Sequence, residues 1–147
     1  MKRLLSALFI CGVAGTLLAG ELPWMTSVPE AKVKAEKEKK LLLLDFTGSD
    51  WCGWCKKLDS ETFSKSEFAD YAKKNLVLVT VDFPTPKVPQ SDELKLANKD
   101  LAKKFEVSGY PTLVVMKPDG TVVWKQVGYL EGGPAALIAK IDEAKAK

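Results

Sequence analysis

Hydrophobic and polar positions along this chain change period several times, and each change marks out an element. Leu41 to Phe46 is an almost unbroken apolar run that admits only Asp45, the pattern of a strand buried on both faces. Leu76 to Asp82 predicts a second strand. Ahead of the first, Pro29 to Lys40 is rich in Glu, Lys and Ala with Val33 and Ala35 interspersed, which predicts a polar, weakly amphipathic helix across the domain edge. Between the strands, Thr47-Gly48-Ser49-Asp50 is a turn cluster that also offers helix N-caps. Trp51 to Thr62 and Ser64 to Asn75 read as helical, with Ser64 or Ser66 capping the second piece and Phe68, Tyr71 and Ala72 on its buried stripe. Strand, helix and strand of these lengths form a βαβ unit, with parallel strands and helices laid over the sheet.

Beyond this unit, Phe83 to Gln90 carries Pro84, Pro86 and Pro89 and must be an irregular connection, a candidate recognition loop. Asp92 to Phe105 returns to helical spacing through Leu94, Ala97, Leu101 and Phe105. Thr112 to Lys117 and Thr121 to Val127 read as strands joined by Pro118-Asp119-Gly120, whose Asp-Gly pair is a strong hairpin signal. A last helix runs from Pro134 to Ala146, with proline at its start. The reading is one α/β domain, with a mixed central sheet of about four strands and helices on both faces.

The first twenty residues stand apart. Lys2 and Arg3 precede an uncharged stretch, Leu4 to Leu18, of fifteen residues. A spanning helix needs roughly 20 residues, so the expectation is a signal peptide over residues 1–20, cut just before Gly20 or Glu21. The remaining domain, 21–147, would be periplasmic or secreted, without stable membrane insertion after cleavage. Cys11 follows the bulky Ile10 in mid-run, which argues against a lipid-modified cysteine.

At 147 residues, 46% of them hydrophobic, the chain can bury one core and has no room for two ordinary domains. Without Lys2 and Arg3 the basic residues nearly balance the 19 acidic ones, and nothing suggests a clustered basic face for nucleic acid. Every basic residue after Arg3 is a lysine, and the chain has no histidine. Chemistry that needs a guanidinium clamp or an imidazole base is therefore closed to the exported domain.

Removal of the leader also leaves two cysteines of three, both in Cys52-Gly53-Trp54-Cys55. Placed at a helix start, a pair with this spacing can close a small disulfide ring, with Cys52 outermost and Cys55 one turn in. Backbone N–H groups and the positive helix end stabilise a thiolate at Cys52, lowering a cysteine pKa from ~8.5 into the range of roughly 3.5 to 7.5. Structural zinc takes about four ligands, usually two such pairs or a pair plus histidines, and this chain has neither, while covalent haem needs histidine where Lys56 stands. No metal or other cofactor is expected. Trp51 and Trp54 flank the pair as apolar ground for a substrate, while Lys56 and Lys57 read as solvated helix residues. Downstream, Gly109-Tyr110-Pro111-Thr112 places a proline at the entry of an apolar strand, which alone marks only a turn.

Taken together, the strand with Asp45, the run Phe46-Thr47-Gly48-Ser49-Asp50-Trp51-Cys52-Gly53-Trp54-Cys55-Lys56-Lys57 and Gly-Tyr-Pro-Thr before the hairpin resemble the thioredoxin-like family over nearly the whole exported domain. The run is similar in particular to an exported bacterial branch with one extra residue between strand and tryptophan. The resemblance implies thiol–disulfide exchange on proteins, with Cys52, Cys55, Asp45 and Pro111 catalytic. Trp51, Gly53, Trp54, Tyr110 and Thr112 would bind substrate. Pro111 would be a cis-proline facing the cysteines, and Asp45 the buried acid that exchanges a proton with the inner cysteine. The family's lysine near that acid has no counterpart between Leu76 and Phe83. Partners would be protein thiols and disulfides, with a donor protein or membrane reductase supplying electrons. A histidine between the cysteines is common in the strong oxidants and isomerases, so Gly53-Trp54 favours a reductase. The alternative is a redox-passive binding or chaperone module on the same scaffold.

Overall fold

The computed structural model describes residues 22–146, so the expected leader and its cleavage bond, with Cys11, lie outside the described residues. Five strands form one sheet in the order β1-β3-β2-β4-β5. They are β1 (Trp24–Met25), β2 (Leu41–Thr47), β3 (Leu76–Asp82), β4 (Thr112–Met116) and β5 (Val122–Val127). β2 lies parallel to β3 and antiparallel to β4, and β5 closes the hairpin with β4, so the sheet is mixed. Its fifth strand, β1, was not expected. With two residues it is too short for any periodicity, and it exists by pairing in parallel with Leu78 and Val79.

Burial on both faces explains the apolar runs. Leu42, Leu44 and Phe46 point to a core shared with Ala31 and Ala35 of helix α1 (Val28–Glu38), whereas Leu43 points to the opposite core, with Leu58, Phe68 and Ile141. That second core is covered by α2 (Gly53–Leu58), α3 (Ser66–Asn75) and α5 (Gly133–Lys145). Strand alternation puts Asp45 on the same face as Leu43, toward α2. A carboxylate is thereby aimed at the helix that carries the cysteines.

Helix boundaries differ from the reading in instructive places. α1 starts at Val28 because Ser27 caps it, its Oγ accepting the Glu30 N–H at 3.4 Å. The helical stretch after Trp51 starts only at Gly53, with Cys52 itself as N-cap, and after Leu58 continues as a π-helical turn, Asp59–Phe63. Neither Ser64 nor Ser66 caps α3. Its N-cap is Lys65, which makes no side-chain cap bond and whose amide donates to Thr62 O as the chain leaves the π turn. The fourth helix, α4 (Asp92–Lys104), starts at a Ser91 cap and buries the expected stripe only at its end, at Phe105. Leu94 and Leu101 are half-buried and Ala97 is exposed, while Asn98 is buried and donates from Nδ2 to Asp82 O at 2.9 Å. Among the described residues no helix is long and apolar enough to cross a membrane.

Candidate active site

The loop between β2 and α2 is pinned to the end of β3 by three consecutive residues. Ser49 donates its N–H and its hydroxyl to the Asp82 carboxylate, at 2.9 and 2.6 Å. Asp50 accepts the Thr85 N–H at 2.9 Å together with the Thr85 hydroxyl, and these bonds hold its carboxyl below the usual range. Trp51 donates Nε1–H to Phe83 O at 2.7 Å. Gly48 is required by this packing, since a Cβ there would lie 2.3 Å from the Trp51 indole. The proline-rich connection after β3 thus serves as the anchor of the cysteine loop.

Cys52 and Cys55 are joined in a disulfide, with Cα atoms 5.2 Å apart. Cys52 has extended backbone as the N-cap of α2, and the Cys55 N–H points at Cys52 Sγ at 3.2 Å. A sulfur at this position receives a backbone donor and faces the positive end of the helix. Cys52 is not the more exposed of the two: both residues are 5% exposed in the disulfide form. What separates them is surroundings. Cys55, on the inner turn, borders a cavity of about 340 Å³ whose lining includes Asp45, Thr80, Lys56 and Asp59, while Cys52 is not part of that lining.

Asp45 is buried, and its Oδ1 has no hydrogen-bond partner. Burial, reinforced by the negative charges of Asp59 and Asp82, pushes its pKa from the usual 3.8 to about 7. On the neighbouring strand Thr80 stands opposite Asp45 in register, so the acid faces a hydroxyl there and no lysine. A lysine does reach the cavity from the helix: Lys56, whose ammonium donates to Asp50 O at 2.8 Å. Its side chain is nonetheless exposed, as expected of a solvated helix residue.

Aromatic rings frame the pair on two sides. Trp51, half exposed, meets Tyr110 edge to face at 5.7 Å, and Tyr110 packs on Phe83 at 5.4 Å. Trp54, 58% exposed, lies against Tyr129 at 5.4 Å, with the Lys57 ammonium over both rings and the Tyr129 hydroxyl donated to Glu61. Tyr129 carries no sequence signal that would place it here, since it follows β5 in a turn. Gly53 is exposed with open space beside it. The Tyr110–Pro111 peptide bond is cis, Pro111 is buried, and its carbonyl accepts the Gly128 N–H at 2.7 Å. Thr112 is fully buried and donates its hydroxyl to Gly109 O at 2.7 Å, which leaves its side chain no surface for a client. Among the described residues there is no cluster of side chains able to hold a metal.

Comparison with known proteins agrees with this geometry. The thioredoxin-like domain model matches residues 28–145. The disulfide bond reductase DsbH of Chlamydia pneumoniae is 36% identical over 128 residues, covering 87% of this chain and 75% of its own. A protein disulfide-isomerase of Datisca glomerata is 35% identical over 108 residues, 64% of this chain but only 19% of that larger protein. Among solved structures, a DsbH oxidoreductase superposes with a TM-score of 0.79 at 31% identity, over 98% of this chain and 93% of its own. With the sheet, the helix-start cysteine pair and the buried acid in place, the chain belongs to the thioredoxin-like family and is a thiol–disulfide oxidoreductase.

Proposed function

We propose that the protein reduces disulfides of exported proteins, with Cys52 as nucleophile and Cys55 as resolving thiol. The observation that carries this reading is the unequal setting of the two sulfurs: Cys52 Sγ faces a backbone donor at the helix start, and Cys55 borders the cavity that holds Asp45. In the reduced protein, the Cys52 thiolate attacks one sulfur of a client disulfide, forming a mixed disulfide and releasing the client's other sulfur as a thiolate. Asp45 then accepts the Cys55 proton, and the Cys55 thiolate attacks Cys52 Sγ. This breaks the bond to the client, closes the Cys52–Cys55 disulfide and leaves the client reduced by two electrons. A donor dithiol resets the pair by the reverse exchange. Trp51, Trp54, Gly53 and the Tyr110–Pro111 segment form the ground on which an extended client chain would lie.

The reductive direction rests on Gly53-Trp54, which puts no imidazole beside the Cys52 thiolate to favour the reduced form. Thioredoxin-like couples run from about −270 mV in the reductant thioredoxin to about −120 mV in the oxidant DsbA. The expected potential of Cys52/Cys55 lies nearer the first, with insulin reduced in the presence of dithiothreitol. A potential near the DsbA end would reverse the assigned direction, and no insulin reduction at all would favour the redox-passive binding module. Export follows from the leader pattern in Lys2 to Leu18. Mass spectrometry of the protein from cell envelopes should find a mature N-terminus at Gly20 or Glu21, and recovery of full-length chain alone would count against a cleaved signal.

A further inference from the structure

The cavity beneath Cys55 holds a carboxylate that the reaction as described leaves without a role. Asp59 lines it together with Asp45, Cys55, Lys56 and Thr80. Its position follows from the helix: the Asp59 N–H donates to Cys55 O, so the two residues stand one turn apart and share a face. Asp59 also opens the π-helical turn that leads on to Phe63, and such turns often occur where a helix is adapted to a site. Its side chain is exposed, whereas Asp45 is buried on the sheet with Oδ1 unpartnered and lining the same space. One carboxyl therefore stands on the solvent side of the cavity and one on the protein side. Among the described residues no lysine lies within ion-pair distance of Asp59 to neutralise it.

We propose that Asp59 is the second carboxylate of this site, a positioning residue that faces Asp45 across the cavity and tunes the buried acid as acceptor of the Cys55 proton. The inference rests on the resolving role given above to Cys55. Every element packed around Asp45 contributes to the balance. α2 brings Cys55 and Lys56, the π turn brings Asp59, and β3 brings neutral Thr80 beside Asp45 and Asp82 two residues on. Trp24 of β1 and Leu113 of β4 are uncharged. After desolvation, the Asp59 charge is the largest influence raising the proton affinity of Asp45, ahead of Asp82. A more basic Asp45 is the better acceptor for a thiol proton, and two interacting carboxyls titrate as a pair. The step conserves atoms and charge: Cys55 loses H⁺, Asp45 gains it, and the electron pair on Cys55 Sγ forms the new sulfur–sulfur bond as the client thiolate departs.

The test is an Asp59→Asn variant of the mature protein, with Asp59→Glu as the conservative control. Carbon-detected NMR follows the Asp45 carboxyl in the reduced protein through a pH titration. Stopped-flow mixing with an aromatic disulfide that releases a coloured thiolate follows resolution of the Cys52 mixed disulfide. In Asp59→Asn the Asp45 titration is expected to move to lower pH. The pH profile of resolution should move the same way, giving a variant less impaired at pH 6 than at pH 8, and Asp59→Glu should restore both. An Asp45 titration unchanged in Asp59→Asn overturns the proposal, as does an Asp59→Glu protein that behaves like Asp59→Asn. If wild-type protein failed to exchange thiols at all, the reading of Cys55 would fall, while the NMR titration would still judge whether Asp59 acts on Asp45.

Discussion

Cys55→Ser is expected to accumulate covalent complexes with client proteins that dissolve on adding reductant, while Cys52→Ser traps almost none. The asymmetry comes from the two settings on α2. Serine at position 55 leaves the Cys52 thiolate with its helix end and its backbone donor, the Cys55 N–H having been replaced by the equivalent serine N–H at the same place. Attack proceeds, and nothing resolves the product. Serine at position 52 removes the nucleophile outright, because a hydroxyl is scarcely ionised at neutral pH whereas a helix-start thiol is. Both variants should lose insulin-reducing turnover by on the order of 10³-fold or more, since the two sulfurs act as one unit. In the reduced wild-type protein, iodoacetamide at pH 6 should label Cys52 well before Cys55, because alkylation reads thiolate content and access together. Equal trapping by the two variants, or faster labelling of Cys55, would exchange the assigned roles even though the fold is unchanged.

Where the sequence was legible, a single physical cause dominated each stretch. β2 and β3 could be read because both faces of each are buried, leaving a run of apolar residues that no surface element would carry. The β4–β5 hairpin followed from Asp119-Gly120, with Gly120 at φ 96°, a backbone region open to glycine and strained for other residues. Cys52 and Cys55 were visible because the chemistry lies inside four residues. What could not be read depends on partners distant in sequence. β1 is defined only by its register with β3, and the π turn has no residue signature of its own. α4 buries Asn98 because Asp82 O lies beneath it, and a helical wheel cannot show that carbonyl. The site divides in the same way. Asp45 could be named from the family pattern, but its cavity is completed by Asp59 and Lys56 from the helix. On the adjacent strand, where the family pattern places a lysine, Thr80 stands. Tyr129 reaches Trp54 only because the turn after β5 folds beside α2.

Asp45→Asn is expected to make the oxidised protein more stable above neutral pH and slower to resolve mixed disulfides. The stability effect follows from the direction of the pKa change, since burial raises Asp45 from 3.8 to about 7. Between those values the folded protein keeps a proton that the unfolded chain has released. Stability contributed at this residue is therefore full below pH 4, declines as pH rises through the window, and is lowest above 7, opposite to the behaviour of a salt-bridged carboxylate. At 1.36 kcal/mol per pKa unit, a shift of this size amounts to roughly 4 kcal/mol of destabilisation at pH 8. Asparagine has nearly the same shape and no charge, so the gap between variant and wild type in denaturant unfolding should open between pH 4 and 7 and then stay level. The same substitution removes the acceptor for the Cys55 proton, a loss of about 10²-fold at pH 7 for a general base. That deficit should shrink as pH approaches the ordinary cysteine value of about 8.5, where the thiol ionises without help. Cys52 alkylation, which does not pass through the cavity, should keep its wild-type rate. Parallel stability curves from pH 4 to 8 would mean that Asp45 is ionised in the folded protein, and unchanged resolution at pH 7 would confine the residue to a structural role.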